Sequence, residues 1–137
     1  MKVKLAAQTL SSSVANAIEF LAENMKMKVF EGSGPTVRFL RIFNNVFDIL
    51  NTRNLSGRGF KAPLTVENNA TWEPYLDTAS LYIHSLKTLE GRPLFETQKK
   101  TFVVGFLTSI QSTKGIFKEL IEKENSPMKF LLTYKVY

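Results

Sequence analysis

The chain has 137 residues, 44 % of them hydrophobic and 22 % charged, long enough to bury roughly two-thirds of the surface its unfolded form exposes and too apolar to stay disordered. Eighteen Lys and Arg against twelve Asp and Glu give a net charge of +6, which favours an anionic partner such as a phosphate chain or a DNA backbone. With no cysteine and a single histidine, His84, disulfides, thiol nucleophiles, cysteine-based zinc sites and multi-histidine metal sites are excluded.

Leu10, Val14, Ala17, Ile18 and Leu21 recur at helical spacing and predict a first helix over about residues 3 to 23, with Ser11, Ser12 and Ser13 as mediocre interior formers carried by flanking Ala and Leu. Glu31-Gly32-Ser33-Gly34-Pro35 reads as a turn feeding a second helix that runs to about Asn51. Its apolar stripe is Val37, Leu40, Phe43, Phe47 and Leu50, widened by Ile42, Val46 and Ile49, so it is expected to be buried on most sides. Residues 52 to 69, with Gly57, Gly59 and Pro63 and no helical period, read as a long loop, and connections of that length are usually functional.

Trp72, Tyr75, Leu76, Ala79, Ile83 and Leu86 predict a third helix over about residues 71 to 88, stopped by Gly91 and Pro93. A fourth helix is expected over 97 to 111 with Phe102, Phe106 and Ile110 inward, then a break near Ser112 and a fifth over 113 to 123. The tail from Met128 to Tyr137 is open between a short helix and an extended edge. No second-domain boundary is visible, so the expected architecture is a single compact, mainly α-helical domain of about five to seven helices. No apolar run approaches the roughly 18 residues that cross a bilayer, and no hydrophobic signal core opens the chain, so no membrane partner is expected.

Guanine offers a donor edge that a carboxylate accepts, while a triphosphate calls for Lys, Arg and backbone amides. Neither Gly32-Ser33-Gly34-Pro35 nor Gly57-Arg58-Gly59-Phe60-Lys61 completes a P-loop, and no Asn-Lys-x-Asp motif exists, which argues against an ordinary GTPase. Asp48 and Asn51, three apart at the end of the second helix, share a face that suits a purine edge; the plainer reading makes them helix-end residues with Arg53 paired locally. Lys61 and Arg58 are candidate phosphate contacts from the loop, with Pro63 stiffening the backbone beside Lys61, or else solvated basic residues. Lys99, Lys100 and Thr101 stand in the expected first turn of the fourth helix, where the dipole favours anions. Asp77 is a further carboxylate for base or ribose, or an ordinary exposed aspartate, and His84 takes no role. Acidic residues do not converge as two-metal phosphoryl transfer requires, so no catalytic centre is expected.

Four motifs stand in fixed order. The first runs from Lys2-Val3-Lys4-Leu5 to Val14-Ala15, and the second is Phe47-Asp48-Ile49-Leu50-Asn51-Thr52-Arg53 followed by Lys61-Ala62-Pro63-Leu64. Lys100-Thr101-Phe102-Val103-Val104-Gly105-Phe106 and Leu131-Leu132-Thr133-Tyr134 complete the set. Together they resemble the GTP-binding insertion domain of P-element-type transposases, the group that includes the THAP-domain transposases. The matched positions are Asp48, Asn51, Arg53, Lys61, Lys100 and Thr101; Thr52 stands where Ser is frequent, and Gln98-Lys99-Lys100-Thr101 where relatives tend to have Arg-Lys-Thr.

The resemblance implies a fragment of a longer nuclear protein in which this domain interrupts an RNase H-like catalytic domain. It implies GTP, with or without Mg2+, bound as a cofactor without a need for hydrolysis. The GTP would order the transposase on transposon-end DNA, and the implied partners are that DNA and the flanking RNase H-like halves. The competing expectation is a nucleotide-free basic helical module that contacts DNA or scaffolds the transposase.

Overall fold

The computed structural model describes residues 3–134; Met1 and Lys2, at the start of the first motif, and residues 135–137 of the tail lie outside them. Among the described residues there are five α-helices: α1 (Val3–Thr9), α2 (Ser12–Glu23), α3 (Gly34–Ile49), α4 (Asn69–His84) and α5 (Lys100–Leu120). Single turns of 3-10 helix form at Lys28–Phe30, Gly59–Lys61 and Leu94–Glu96. The only extended pairings among these residues are isolated bridges, Leu64 with Leu131 and Lys87 with Pro93, so the mainly α-helical class holds. Packing divides the chain into two compact units, residues 1–48 and 49–137, where composition gave no boundary.

In the N-terminal unit the first predicted helix is two helices, because Ser11 acts as a cap. Its backbone is extended (φ −112°, ψ 155°) and its hydroxyl accepts from Val14 N, the geometry in which a serine satisfies an otherwise unbonded amide of the first turn. Asn44 of α3 reinforces the break by accepting from Ser12 N at 3.2 Å through its side-chain oxygen. Ala15 of α2 is buried against Val37 and Leu40 of α3, with Leu10, Val14, Ile18 and Phe39 packed around them. Arg41 of α3 reaches back to α2, donating to both Glu19 carboxylate oxygens at 3.1 and 2.5 Å and to Asn16 at 3.1 Å. That guanidinium bond holds the Glu19 carboxyl below its ordinary range.

In the C-terminal unit α4 buries Trp72, Leu76, Ala79 and Ile83, and α5 buries Val103, Ile110, Thr113 and Phe117. The Trp72 and Phe117 rings meet edge to face at 4.8 Å, while Lys114 of α5 pairs with Asp77 and, at 3.9 Å, with Glu73, one helical turn apart on α4. These cross-helix contacts explain why α5 runs unbroken through Ser112-Thr113-Lys114-Gly115, where a helix end was expected: packing overrides weak local propensity. The inward stripe is also shifted. Val103 is fully buried, whereas Phe102 is 37 % exposed. Elsewhere α3 ends at Ile49 rather than Asn51, and α4 covers Asn69–His84 rather than 71 to 88.

Ser11→Ala is expected to lower stability by about 1 kcal/mol through loss of the cap, read as a fall in the chemical-denaturation midpoint with an unchanged slope.

Candidate functional site

The tail motif and the end of the second motif are held together by two threonines. Thr133 Oγ1 donates to the Ile49 carbonyl at 2.8 Å and accepts from Thr52 N at 2.9 Å, and the two hydroxyls lie 3.0 Å apart. Each hydroxyl owns one proton, and that of Thr133 is committed to Ile49, so the Thr52 hydroxyl is the donor between them. Thr52 Oγ1 in turn accepts from Thr133 N at 3.0 Å, and Tyr134 N donates to the Thr52 carbonyl at 3.1 Å. Thr52 is completely buried. Side-chain hydroxyls thus replace water for backbone groups at the end of α3, with both hydroxyl protons and both lone pairs of Thr133 used.

The loop motif is fastened to the same tail. Leu64 and Leu131 exchange backbone hydrogen bonds at 3.0 and 2.9 Å, two residues along the tail from Thr133, or about 7 Å in extended chain. The expected long loop is therefore built rather than structureless. Asn68 donates from its amide nitrogen to the Pro63 carbonyl at 2.8 Å, and its oxygen accepts from Thr65 N and from the Trp72 indole. Gly57 is obligatory here, since a Cβ at that position would lie 2.0 Å from the Lys61 carbonyl oxygen. Lys61 ends the Gly59–Lys61 turn, with Gly59 at φ +58°.

Three expected site residues are thereby carried by segments that converge on the tail: Asn51, half-buried, and Arg53 and Lys61, both exposed. The Arg53 guanidinium lies over the Tyr134 ring, 4.3 Å from its centroid. Among the described residues no carboxylate pairs with Arg53, so its in-plane N–H donors remain available to an anion.

The other expected residues are carried by helices. Asp48, half-buried in the last turn of α3, accepts from Asn44 Nδ2 at 3.3 Å within the N-terminal unit. Asp77 is engaged by Lys114, a structural tie between α4 and α5. Lys99 is the N-cap of α5 rather than part of its first turn, and Lys100 and Thr101 open the helix; all three are exposed. Its first turn holds no acid, and Lys99 N–H and Lys100 N–H are already accepted by the Thr97 hydroxyl and carbonyl, each at 3.1 Å, so this end presents its two exposed lysine side chains to an anion. His84 stacks on Phe95 at 4.6 Å between centroids.

The N-terminal unit also holds an open cleft of about 510 Å³ beside the head of α3, lined by the Gly32-Ser33-Gly34 turn, Glu19, Glu23, Arg38 and Arg41 among others. None of the expected site residues lines it. Among the described residues no three of His, Cys, Asp and Glu gather closely enough to hold a metal ion, and no helix is long and apolar enough to cross a membrane.

Residues 1–63 match the TNP-like, GTP-binding insertion domain, the class that the four ordered motifs resemble. Over 135 residues, 98 % of its length, the chain is 33 % identical to the human DNA transposase THAP9 and spans 15 % of that protein. No solved structure matches it.

Thr133 and Tyr134 stand in the fourth motif with no role that the sequence assigns, Asn68 stands in none of the four, and Thr52 is marked only as standing where Ser is frequent. A signal was present: a hydroxyl residue follows the helix end in one motif, and another sits in the tail motif. Thr133→Val leaves Thr52 N–H, the Thr52 hydroxyl proton and the Ile49 carbonyl without partners and is expected to cost about 3 kcal/mol. Thr52→Val leaves fewer groups stranded and is expected to cost about 1 kcal/mol. Denaturant titration of both variants checks the order.

Proposed function

We propose that this chain binds GTP as a non-catalytic cofactor within a P-element-like DNA transposase, and that the bound nucleotide orders the transposase on its DNA. The observation that carries the reading is the fastening of the Asn51–Arg53 and Lys61–Leu64 segments to one tail, which supports Arg53 and Lys61 as phosphate contacts. Arg53 suits that part because among the described residues its charge meets no carboxylate and its planar fork matches phosphate oxygens. Asn51 supplies an amide for base or sugar, and Asp48 the carboxylate that the guanine N1–N2 edge asks for. Lys99, Lys100 and Thr101 contribute a separate anion-facing helix end. Asp77, assigned to base or ribose on sequence grounds, would have to give up Lys114 to serve, so its part is the weakest of the set.

The donor set fits a triphosphate. A Mg2+ ion carried by nucleotide phosphates needs few protein ligands, so the lack of a carboxylate cluster is compatible with magnesium arriving on the nucleotide. Its chemistry would be to offset phosphate charge. The net charge of +6 supports a DNA backbone as a further partner in the parent protein, and a DNA partner places that protein in the nucleus.

Calorimetric titration of the chain with GTP, ATP and GDP is expected to show GTP preferred over ATP. Arg53→Ala and Lys61→Ala should each weaken GTP by about tenfold, the worth of one charge-assisted contact. Asp48→Asn should narrow the gap between GTP and ATP. Absence of heat with every nucleotide, beside binding to duplex DNA that falls steeply with salt and ignores base identity, would favour the nucleotide-free DNA-contacting module instead.

A further inference from the structure

We propose that Tyr134 is a positioning residue for the phosphate-binding Arg53, holding its guanidinium by ring stacking while leaving its N–H edge open to the nucleotide. The inference rests on the nucleotide-binding reading above and adds to it a residue with a distinct job.

Thr52 and Thr133 turn their side chains toward each other, and the bond from Tyr134 N to the Thr52 carbonyl fixes the next step of the tail. The residues that follow the two threonines, Arg53 and Tyr134, meet beside the fastening, with the guanidinium 4.3 Å from the ring centroid. The stacked position follows from backbone bonds that neither side chain makes. A ring is the one kind of neighbour that restrains an arginine without consuming its donors. A carboxylate in its place would neutralise the charge and occupy the fork that a phosphate needs.

Tyr134 itself is 40 % exposed, more than a residue kept for core packing needs to be. At such an exposed site the cation–ring attraction is modest. Its expected effect is therefore on the orientation of Arg53 and not on folding.

The test measures GTP affinity and thermal midpoint for the chain and for Tyr134→Leu, Tyr134→Phe, Arg53→Ala and the Arg53→Ala/Tyr134→Leu pair. Tyr134→Leu is expected to weaken GTP by about two- to fivefold with the midpoint unchanged. Tyr134→Phe, which keeps the ring and drops the hydroxyl, is expected to rescue the affinity. The double variant is expected to bind no more weakly than Arg53→Ala, because Tyr134 acts through Arg53. Wild-type affinity in Tyr134→Leu, an equal loss in Tyr134→Phe, or additive losses in the double variant would each overturn the assignment while leaving GTP binding standing. If the unaltered chain binds no GTP, the underlying reading fails and takes the assignment with it.

Discussion

The Thr52–Thr133 pair is the constraint on which the C-terminal unit's candidate site depends. A helix end normally leaves carbonyls that water or a cap must satisfy, and here the tail does so from about 80 residues downstream by bringing one hydroxyl to Ile49 O and Thr52 N. The bond closes a loop that contains α4 and α5, so these helices are framed between the two partners. Because both hydroxyl protons are committed, the arrangement is directional in a way that apolar contact is not. It sets which residues meet beside it, and those are Arg53 and Tyr134.

Charge is divided between structure and binding. Arg41 is committed to Glu19 and Lys114 to Asp77 and Glu73; pairs this exposed are screened by solvent and add little stability. They serve to set helix register more than to hold the fold, which rests on buried residues such as Phe43, Leu76, Ile83, Ile110 and Phe117. Among the described residues Arg53 and the lysines at the head of α5 meet no carboxylate. The N-terminal cleft shows the opposite balance, with Arg41 already neutralised by Glu19 on its wall.

The parts of this fold that were legible in sequence are those governed by periodicity. The apolar stripes of α3 and α4 show their helices directly, and Val37, Leu40, Phe43, Trp72, Leu76 and Ile83 are buried as the spacing requires. What sequence concealed was decided by hydroxyls and by contacts distant along the chain. Ser11 looks like a poor interior residue until its oxygen is seen to cap α2. Ser112 to Gly115 look like a break until Thr113 is buried and Lys114 is held by α4. Likewise Asn51, Arg53 and Lys61 could be picked out by chemistry and resemblance, whereas the Leu131-Leu132-Thr133-Tyr134 motif could be seen but not given a role, since nothing local in it says which helix end it will meet.

The most direct measurement of the central claim is amide hydrogen exchange across the chain with and without saturating GTP. If the threonine fastening underlies the nucleotide site, residues 49–53 and 131–134 gain protection together on GTP addition and lose it together in Thr133→Val. Protection that arises elsewhere while both segments exchange as before would contradict the account.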